Sequence, residues 1–256
     1  MRRLPVDRIP DRFELLTNED ALAIVRSDFR EVFQGAGLVR CAGAALPGAE
    51  PVKGGRGAAR ILAVRAFGDL IVRPYRRGGW VRYFNHRRYF LGSRPFRELD
   101  VTERLRLSGA PVPEVVAAVH RNARPGPGYE ACIVTRRIAG TTPAAEALQR
   151  AKIGEVRVLM AEIGRSIRAC HDLGGWHADL NAWNLLAPES RPDLPVIVID
   201  WDRGRWLGDG LSERSRRVNL GRLHRSLRKL GLHSALDAWS ELEAGYAAPP
   251  EPRPAA

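Results

Sequence analysis

The chain has 256 residues, of which 45% are hydrophobic and 27% are charged, which excludes wholesale disorder and allows one large domain or two lobes. The formal net charge is +12, and arginine carries almost all of it. A balance this basic indicates an anionic partner, such as nucleic acid, an acidic membrane surface or a phosphorylated substrate, although a genome that favours arginine codons produces the same charge without any partner.

The first elements along the chain are predicted as a helix, a loop and a hairpin. Residues 13–36 place apolar side chains every three to four positions, which predicts a helix. Residues 43–59 are dense in glycine and proline and predict a loop. Two apolar runs, 60–67 and 69–75, meet at a Gly-Asp pair, which is typical of a β-hairpin.

A helix, a second strand pair and a long helix follow. Helical spacing returns over residues 96–107 and ends before a glycine. The apolar runs 114–121 and 129–138 predict two strands around a loop rich in proline and glycine. Residues 152–172 keep the helical period throughout, and the Gly-Gly pair that comes next predicts the end of this long helix.

The last predicted elements are two short strands, at 184–186 and 195–200, and a helix at 218–230 whose leucines recur at helical spacing. The first half of the chain is therefore rich in strands, and the second half is mostly helical. This distribution predicts an α+β fold with two lobes.

The division between the lobes is expected close to residue 138. We predict a β-rich N-lobe over residues 1–138, of which residues 1–50 have no assigned role, and a mainly helical C-lobe over residues 139–246. Residues 247–256 are rich in proline and predict a disordered tail.

The segment that carries the most chemistry is "GGWHADLNAWNLL", between the long helix and the last strand pair. Asp179 and Asn184 lie in this loop. The strand at 184–186 follows the loop directly and is expected to pair with the strand at 195–200, which ends at Asp200. Asn184 and Asp200 would then supply oxygen ligands for Mg²⁺, and Asp179 would accept a proton. The order H-x-D-x-x-x-x-N, followed by an aspartate at a strand end, is that of phosphoryl transfer in the protein-kinase-like fold. His177 is expected to brace the loop; the alternative for the loop is a solvated turn capped by its Asp and Asn side chains.

The N-lobe is expected to hold the nucleotide. The loop "GGRGAA" contains Gly55 and Gly57, whose backbone amides can cradle phosphates, although a plain loop fits the same letters. Arg73 stands in the predicted strand where kinases carry a lysine, and Glu98 on the following helix is expected to pair with it.

Five motifs occur in the order of a known family: "IVRPYRRGGWVRYF", "FRELDVTERLRLSGAPVPEVVAA", "HADLNAWNLL", "VIDWDRGR" and "NLGRLHRSLRKL". Together they resemble the 3-deoxy-D-manno-octulosonic acid (Kdo) kinases, within the lipopolysaccharide kinase group. The resemblance implies a protein-kinase-like fold and an ATP- and Mg²⁺-dependent kinase that phosphorylates a sugar hydroxyl, Kdo, on a lipid A precursor. It implies Asp179 as catalytic base, Asn184 and Asp200 as metal ligands, and Arg73 with Glu98 on the nucleotide side. Trp201 stands where the family more often has phenylalanine.

A strip from Leu70 to Arg97 contains eight arginines and no acidic residue, and aromatic side chains are interleaved with the arginines. Arg76, Arg77, Arg87 and Arg88 are its candidates for contact with an anionic membrane or glycolipid. Single-stranded nucleic acid also suits basic and aromatic residues in alternation, but no nucleic-acid-binding motif accompanies them, and no nucleic acid is expected. A solvated basic face remains the third interpretation.

Other functions compatible with the same residues are a heptose kinase of lipopolysaccharide, another small-molecule or protein Ser/Thr kinase, and a basic nucleic-acid-binding pseudokinase. The chain after Gly204 has no A-P-E element, which disfavours a protein kinase. No signal peptide and no membrane span are apparent in the sequence. We therefore expect a cytoplasmic enzyme, peripheral on the cytoplasmic face of the bacterial inner membrane.

Overall fold

The computed structural model describes residues 9–38, 48–52, 59–65, 67–75, 93–122, 129–189 and 194–248. The chain forms two compact units. The first unit consists of Met1–Glu103 and Glu114–Arg137, and the second consists of Arg104–Pro113 and Ile138–Ala256. The glycine loop with Gly55 and Gly57, and the arginines of the predicted membrane strip, lie outside the described residues.

The described part of the first unit is built on a seven-stranded antiparallel sheet in the order β1-β2-β6-β7-β5-β4-β3. The strands are β1 (Phe13–Thr17), β2 (Ala21–Arg26), β3 (Ala49–Pro51), β4 (Arg60–Val64), β5 (Gly68–Pro74), β6 (Val115–Asn122) and β7 (Tyr129–Arg136). The hairpin predicted over 60–75 and the strand pair predicted over 114–138 are confirmed as β4–β5 and β6–β7.

Both faces of this sheet are covered. Cys132 and Val134 of β7 pack in one apolar cluster, which also contains phenylalanines of the helical segment that includes α1 (Arg30–Gly35). The alternate residue Ile133 packs in a second cluster, with Phe96 and Leu99 of α2 (Arg94–Leu107). Successive side chains of a strand point to opposite faces, so one strand contributes to two cores. The helix predicted over 96–107 is confirmed as α2.

The helix predicted over residues 13–36 is wrong for its first half, which forms the β1–β2 hairpin. Ile24 and Val25 of β2 are both fully buried, because β2 lies between β1 and β6 and is covered on both faces. A strand buried on both faces is apolar throughout, and its spacing cannot be told from that of a helix. The loop predicted over 43–59 also needs correction, because Ala49–Pro51 pairs with β4 as an edge strand.

The second unit is mainly helical. Its helices are α3 (Ala144–Arg150), α4 (Ile153–Asp172), α5 (Glu213–Lys229), α6 (His233–Asp237) and α7 (Trp239–Ala247). Its strands are β8 (Thr141–Pro143), β9 (Gly175–Trp176), β10 (Leu185–Pro188), β11 (Ile197–Val198) and β12 (Arg205–Trp206), which form the ribbons β11-β10-β8 and β12-β9.

The long helix predicted over 152–172 is confirmed as α4, and the last predicted helix is confirmed as α5, which begins earlier, after Ser212. Gly164 of α4 and Gly245 of α7 mark where these helices touch, since a Cβ at Gly245 would lie 2.1 Å from the Ala161 carbonyl oxygen. The predicted tail began too early, because Ala247 is the last residue of α7; residues 249–256 lie outside the described part. Among the described helices, none combines the length and the hydropathy needed to span a bilayer.

Candidate active site

The Asp179 loop, defined here as residues 177–184, connects β9 to β10 in the second unit. It follows directly from α4, which ends at Asp172, through a turn in which Gly174 adopts a φ of +78°. A Cβ at this glycine would lie 2.0 Å from the Gly208 carbonyl oxygen, so the turn needs glycine for its backbone conformation and for space. The tight turn places the loop immediately after a long, rigid helix.

His177 braces this loop from inside. Its Nε2 donates to the carbonyl oxygen of Ile199 at 3.0 Å, and its Nδ1 accepts from the backbone N–H of Asp179 at 3.1 Å. A carbonyl oxygen can only accept and an N–H only donate, so the ring is the neutral Nε2–H tautomer. Burial lowers the pKa of His177, which agrees with a neutral ring. The structure thus gives His177 the bracing contacts that the sequence predicts.

Asn219 of α5 holds the same histidine by its backbone. Its Nδ2 donates to the His177 carbonyl oxygen at 3.1 Å, and its Oδ1 accepts from the His177 backbone N–H at 3.0 Å. The Oδ1 also accepts from Nε2 of His171, at 3.3 Å. Two turns further along, Ser226 Oγ accepts from the Ala182 backbone N–H at 3.3 Å. Asn219 is fully buried, and these bonds fasten both ends of the loop to one helix.

Sequence reasoning missed Asn219 and Ser226. The available signal was their spacing, since both fall on the buried face of α5 beside Leu223 and Leu227. A polar side chain at a core position of an amphipathic helix indicates a specific hydrogen-bond partner.

Within the loop, two asparagines close around Asp179. Nδ2 of Asn181 and Nδ2 of Asn184 each donate to the Asp179 carbonyl oxygen at 2.9 Å. Oδ1 of Asn181 accepts from the Trp183 backbone N–H at 2.9 Å. The backbone of Asp179 is therefore held on both sides, while the residue itself is exposed.

Asp200 lies next to this loop because β10 and β11 pair. Leu185 is opposite Val198, and the backbone N–H of Ile199 donates to the Asn184 carbonyl oxygen at 2.9 Å. Asp200 has a φ of +62°, a left-handed conformation that aspartate tolerates better than most residues. The next residue, Trp201, is buried, and its indole Nε1 donates to the Val198 carbonyl oxygen at 3.0 Å.

A cavity of about 270 Å³ opens at this point, and Ala178, Asp179, Asp200, Asp202 and Arg203 line it. Three aspartates and one arginine thus line one open space, and Asn184 is bonded to the backbone of one of them, Asp179. The sequence indicated Asp179 and Asp200 as neighbours but not Asp202, whose position two residues after Asp200 was the available signal.

The oxygen atoms of the Asp200 and Asn184 side chains can be compared with the ligands that Mg²⁺ requires. Among the described residues, no three His, Cys, Asp or Glu side chains cluster closely enough to form an all-protein metal cage. Mg²⁺ bound together with nucleotide phosphates needs only one or two protein carboxylates, because phosphate oxygens and water supply the other ligands. The carboxylate of Asp200 and the amide oxygen of Asn184 fit that pattern.

The first unit contains a second candidate group. Nη2 of Arg73 in β5 donates to both carboxylate oxygens of Glu98 in α2, at 2.5 and 2.6 Å, so the pair predicted from the sequence is present. The Tyr75 hydroxyl also donates to Glu98, and the Arg73 guanidinium lies 4.9 Å from the centre of the Tyr75 ring. Tyr75 and Glu98 are both buried; the sequence placed Tyr75 in the basic strip and did not indicate its contact with Glu98.

Comparison with known proteins shows to which family a chain with this loop, hairpin and ion pair belongs. The model of the lipopolysaccharide kinase (Kdo/WaaP) family matches residues 50–246. The chain belongs to this family. This lipopolysaccharide kinase is similar to the 3-deoxy-D-manno-octulosonic acid kinase of Xylella fastidiosa (strain M12), with 36% identity over 74% of each chain. It is also similar to the enzyme of that name from Haemophilus influenzae (strain 86-028NP), with 32% identity over 70% of this chain and 75% of the other.

A solved structure supports the fold of this lipopolysaccharide kinase. The structure described as "WaaP in complex with acyl carrier protein" covers 88% of each chain with a TM-score of 0.57 and 21% sequence identity. The fold is therefore the protein-kinase-like α+β fold that the sequence predicts, with a β-rich first unit and a mainly helical second unit. The enzyme is a phosphotransferase, a sugar kinase of lipopolysaccharide biosynthesis, and membership of a kinase family implies ATP as the phosphate donor.

Proposed function

We propose that this kinase transfers the γ-phosphoryl group of ATP to a hydroxyl of Kdo in a lipid A precursor, with Mg²⁺ at the nucleotide. The similarity to Kdo kinases over about three quarters of the chain carries the choice of acceptor. The convergence of Asp179 and Asp200 on one cavity supports the choice of chemistry, since phosphoryl transfer needs an acceptor-side carboxylate beside a metal-side carboxylate.

Asp179 is the proposed catalytic base. Its carboxylate lies at the cavity and its backbone is held by His177, Asn181 and Asn184. A carboxylate in this position orients the acceptor hydroxyl towards the phosphoryl group and accepts its proton as the new P–O bond forms and the bond from the γ-phosphorus to the oxygen of the leaving ADP breaks. The neutral His177 braces the loop without adding a charge that would compete with the substrate.

Asn184 and Asp200 are the proposed metal ligands, through an amide oxygen and a carboxylate oxygen. When bound, Mg²⁺ neutralises charge on the nucleotide phosphates. Arg73 is proposed to pair with phosphate, because guanidinium binds phosphate oxygens bidentately, while Glu98 and Tyr75 hold its side chain in place. Gly55 and Gly57 are proposed as the phosphate cradle on the basis of sequence alone.

The acceptor proposed here is anchored in a membrane, and we therefore place the enzyme on the cytoplasmic face of the inner membrane as a peripheral protein. The positive net charge supports this placement, because the lipid surface there is anionic.

An assay that measures ATP consumption with three different acceptors tests the proposal. ATP turnover should be high with a Kdo-bearing lipid A precursor, and near background with a precursor whose Kdo is capped by heptose and with a generic protein substrate. Faster ATP turnover with the heptose-capped precursor would indicate that the enzyme is a heptose kinase of the same family. Turnover on the protein alone would refute a sugar kinase.

A further inference from the structure

The outer face of α5 carries a row of cations on the helix that holds the Asp179 loop. At 3.6 residues per turn, the exposed cations of this face fall within about 120° of one another around the helix axis, which is one side of the helix. The cations that it exposes are Arg214, Arg217, Arg225, Arg228 and Lys229. With a rise of 1.5 Å per residue the row is about 22 Å long. We call these five residues the α5 cationic face.

Among the described residues, the cations of this face are not paired with carboxylates. In the part of the chain that the structure describes, none of the five forms an ion pair or a side-chain hydrogen bond. The nearby Arg216 differs, because it turns inward and pairs with Asp172 at 2.8 Å. The only carboxylate of α5 is Glu213, which lies at its first turn, 3.6 Å from Arg216. Side chains of like charge in one row repel each other, so an anionic surface that covers them is stabilising.

Aromatic and apolar side chains border the α5 cationic face. Arg222 at its edge lies 4.9 Å from the centre of the Trp176 ring, and Arg205 lies 5.6 Å from the same ring. Val218, within the row, is 43% exposed. Trp206, next to Arg205 in β12, is also 43% exposed. Tryptophan and arginine together favour the interfacial layer of a bilayer, where rings contact lipid and guanidinium groups contact phosphate.

We propose that the α5 cationic face docks this kinase onto a bilayer surface of anionic headgroups. The inference rests on the proposed function, because an acceptor anchored in a bilayer requires the enzyme to work at that surface. Long flexible cations in a straight row match mobile headgroups better than the fixed charges of a folded partner. One helix diameter, about 10 Å, separates this face from the loop held by Asn219, a distance that a carbohydrate headgroup projecting from the bilayer can cover.

Vesicle sedimentation with the full-length protein tests the docking. The vesicles contain phosphatidylglycerol and phosphatidylethanolamine in equal parts, and vesicles of phosphatidylcholine alone serve as the neutral reference. The test variant is Arg217→Glu/Arg225→Glu. The matched control is Arg65→Glu/Lys152→Glu, because Arg65 and Lys152 are exposed cations outside α5 and the change in net charge is the same.

The wild type should bind the anionic vesicles and not the neutral ones, and high salt should release it. The test variant should lose about thirtyfold or more in its partition coefficient, and the control less than about threefold. Both variants should phosphorylate a deacylated, water-soluble Kdo acceptor at the wild-type rate, which also shows that they are folded.

Wild-type vesicle binding by the test variant would overturn the proposal. The proposal would also be overturned if the wild type bound acyl carrier protein through these residues and did not bind vesicles. A wild type that binds vesicles but phosphorylates no Kdo acceptor would refute the proposed function and leave the docking surface standing.

Discussion

The Asp179 loop and the Arg73–Glu98 pair are the two halves of the proposed machinery, and they are built differently. The loop is one short stretch of chain, and the groups that hold it, the His177 ring and the Asn219 amide, are neutral. The pair joins two residues that are 25 positions apart in the chain, one on β5 and one on α2, and its carboxylate is 5% exposed. Because the bracing groups are neutral, we propose that the charge of Asp179 serves the substrate, whereas the charge of Glu98 pairs with Arg73 inside the protein. Changes in the loop should therefore alter rate, and changes in the pair should alter nucleotide binding together with stability.

The largest effect is expected from Asp179→Ala. Loss of a general base typically lowers the rate by about 10²–10⁴-fold, so kcat should fall by that order. ATP affinity and the melting temperature should stay close to wild type, because the proposed role of this exposed carboxylate is towards the acceptor and not towards the nucleotide. Calorimetric ATP titration and turnover are measured on the same preparation. Loss of ATP binding in this variant would show that Asp179 belongs to the nucleotide side.

Asp200→Asn should come next. Removing one negative charge from the proposed ligand set should raise the Mg²⁺ concentration for half-maximal rate by at least about tenfold, and added Mg²⁺ should restore part of the rate. The measurement is turnover across a Mg²⁺ titration, with Asp209→Asn, an exposed aspartate of the same unit, as the control. An unchanged Mg²⁺ dependence would remove Asp200 from the metal site.

Disruption of the Arg73–Glu98 pair should affect stability and binding together. Glu98→Gln leaves the guanidinium with a weaker partner in a mostly buried place and should lower the free energy of unfolding by about 2 kcal/mol. The KM for ATP should rise while the KM for the acceptor stays the same. A double-mutant cycle with Arg73→Met measures the coupling between the two residues. Additive effects of the two substitutions would mean that Arg73 and Glu98 do not stabilise each other.

Asn219→Ala should loosen the loop without touching a substrate. It leaves a buried N–H and a buried carbonyl of His177 without partners, which costs about 1–2 kcal/mol of unfolding free energy. We expect a lower kcat with little change in either KM, because Asn219 acts only by positioning Asp179. Asn219→Asp keeps the acceptor but not the donor and should recover part of kcat; a KM effect as large as the kcat effect would argue against a positioning role.

The smallest effect concerns acid stability. Burial lowers the pKa of His171 from 6.5 to about 4, so between these values the unfolded chain binds a proton that the folded chain does not. The contribution of His171 to stability is therefore complete above its unfolded pKa and declines as the pH falls. From pH ~7 to ~5.5 the wild type should lose about 1 kcal/mol more than His171→Gln does, as measured by chemical denaturation at both values. Equal losses would mean that His171 does not contribute to the acid sensitivity.

Local pattern is enough to predict part of this molecule. The helices α2, α4 and α5 and the hairpins β4–β5 and β6–β7 follow from spacing and turn residues, because those signals act within a few residues. The proximity of Asp179 to Asp200 follows in the same way, since one hairpin joins their two segments.

The tertiary structure decides the rest. Residues 13–26 form strands because β6 lies beside β2 and buries it, a contact about 100 residues away in the chain. Tyr75 contacts Glu98, and Asn219 contacts His177, across separations of 23 and 42 residues. The free energy of such contacts comes from burial and from satisfying polar groups that water can no longer reach. Those quantities exist only once the chain is packed, so no local pattern contains them.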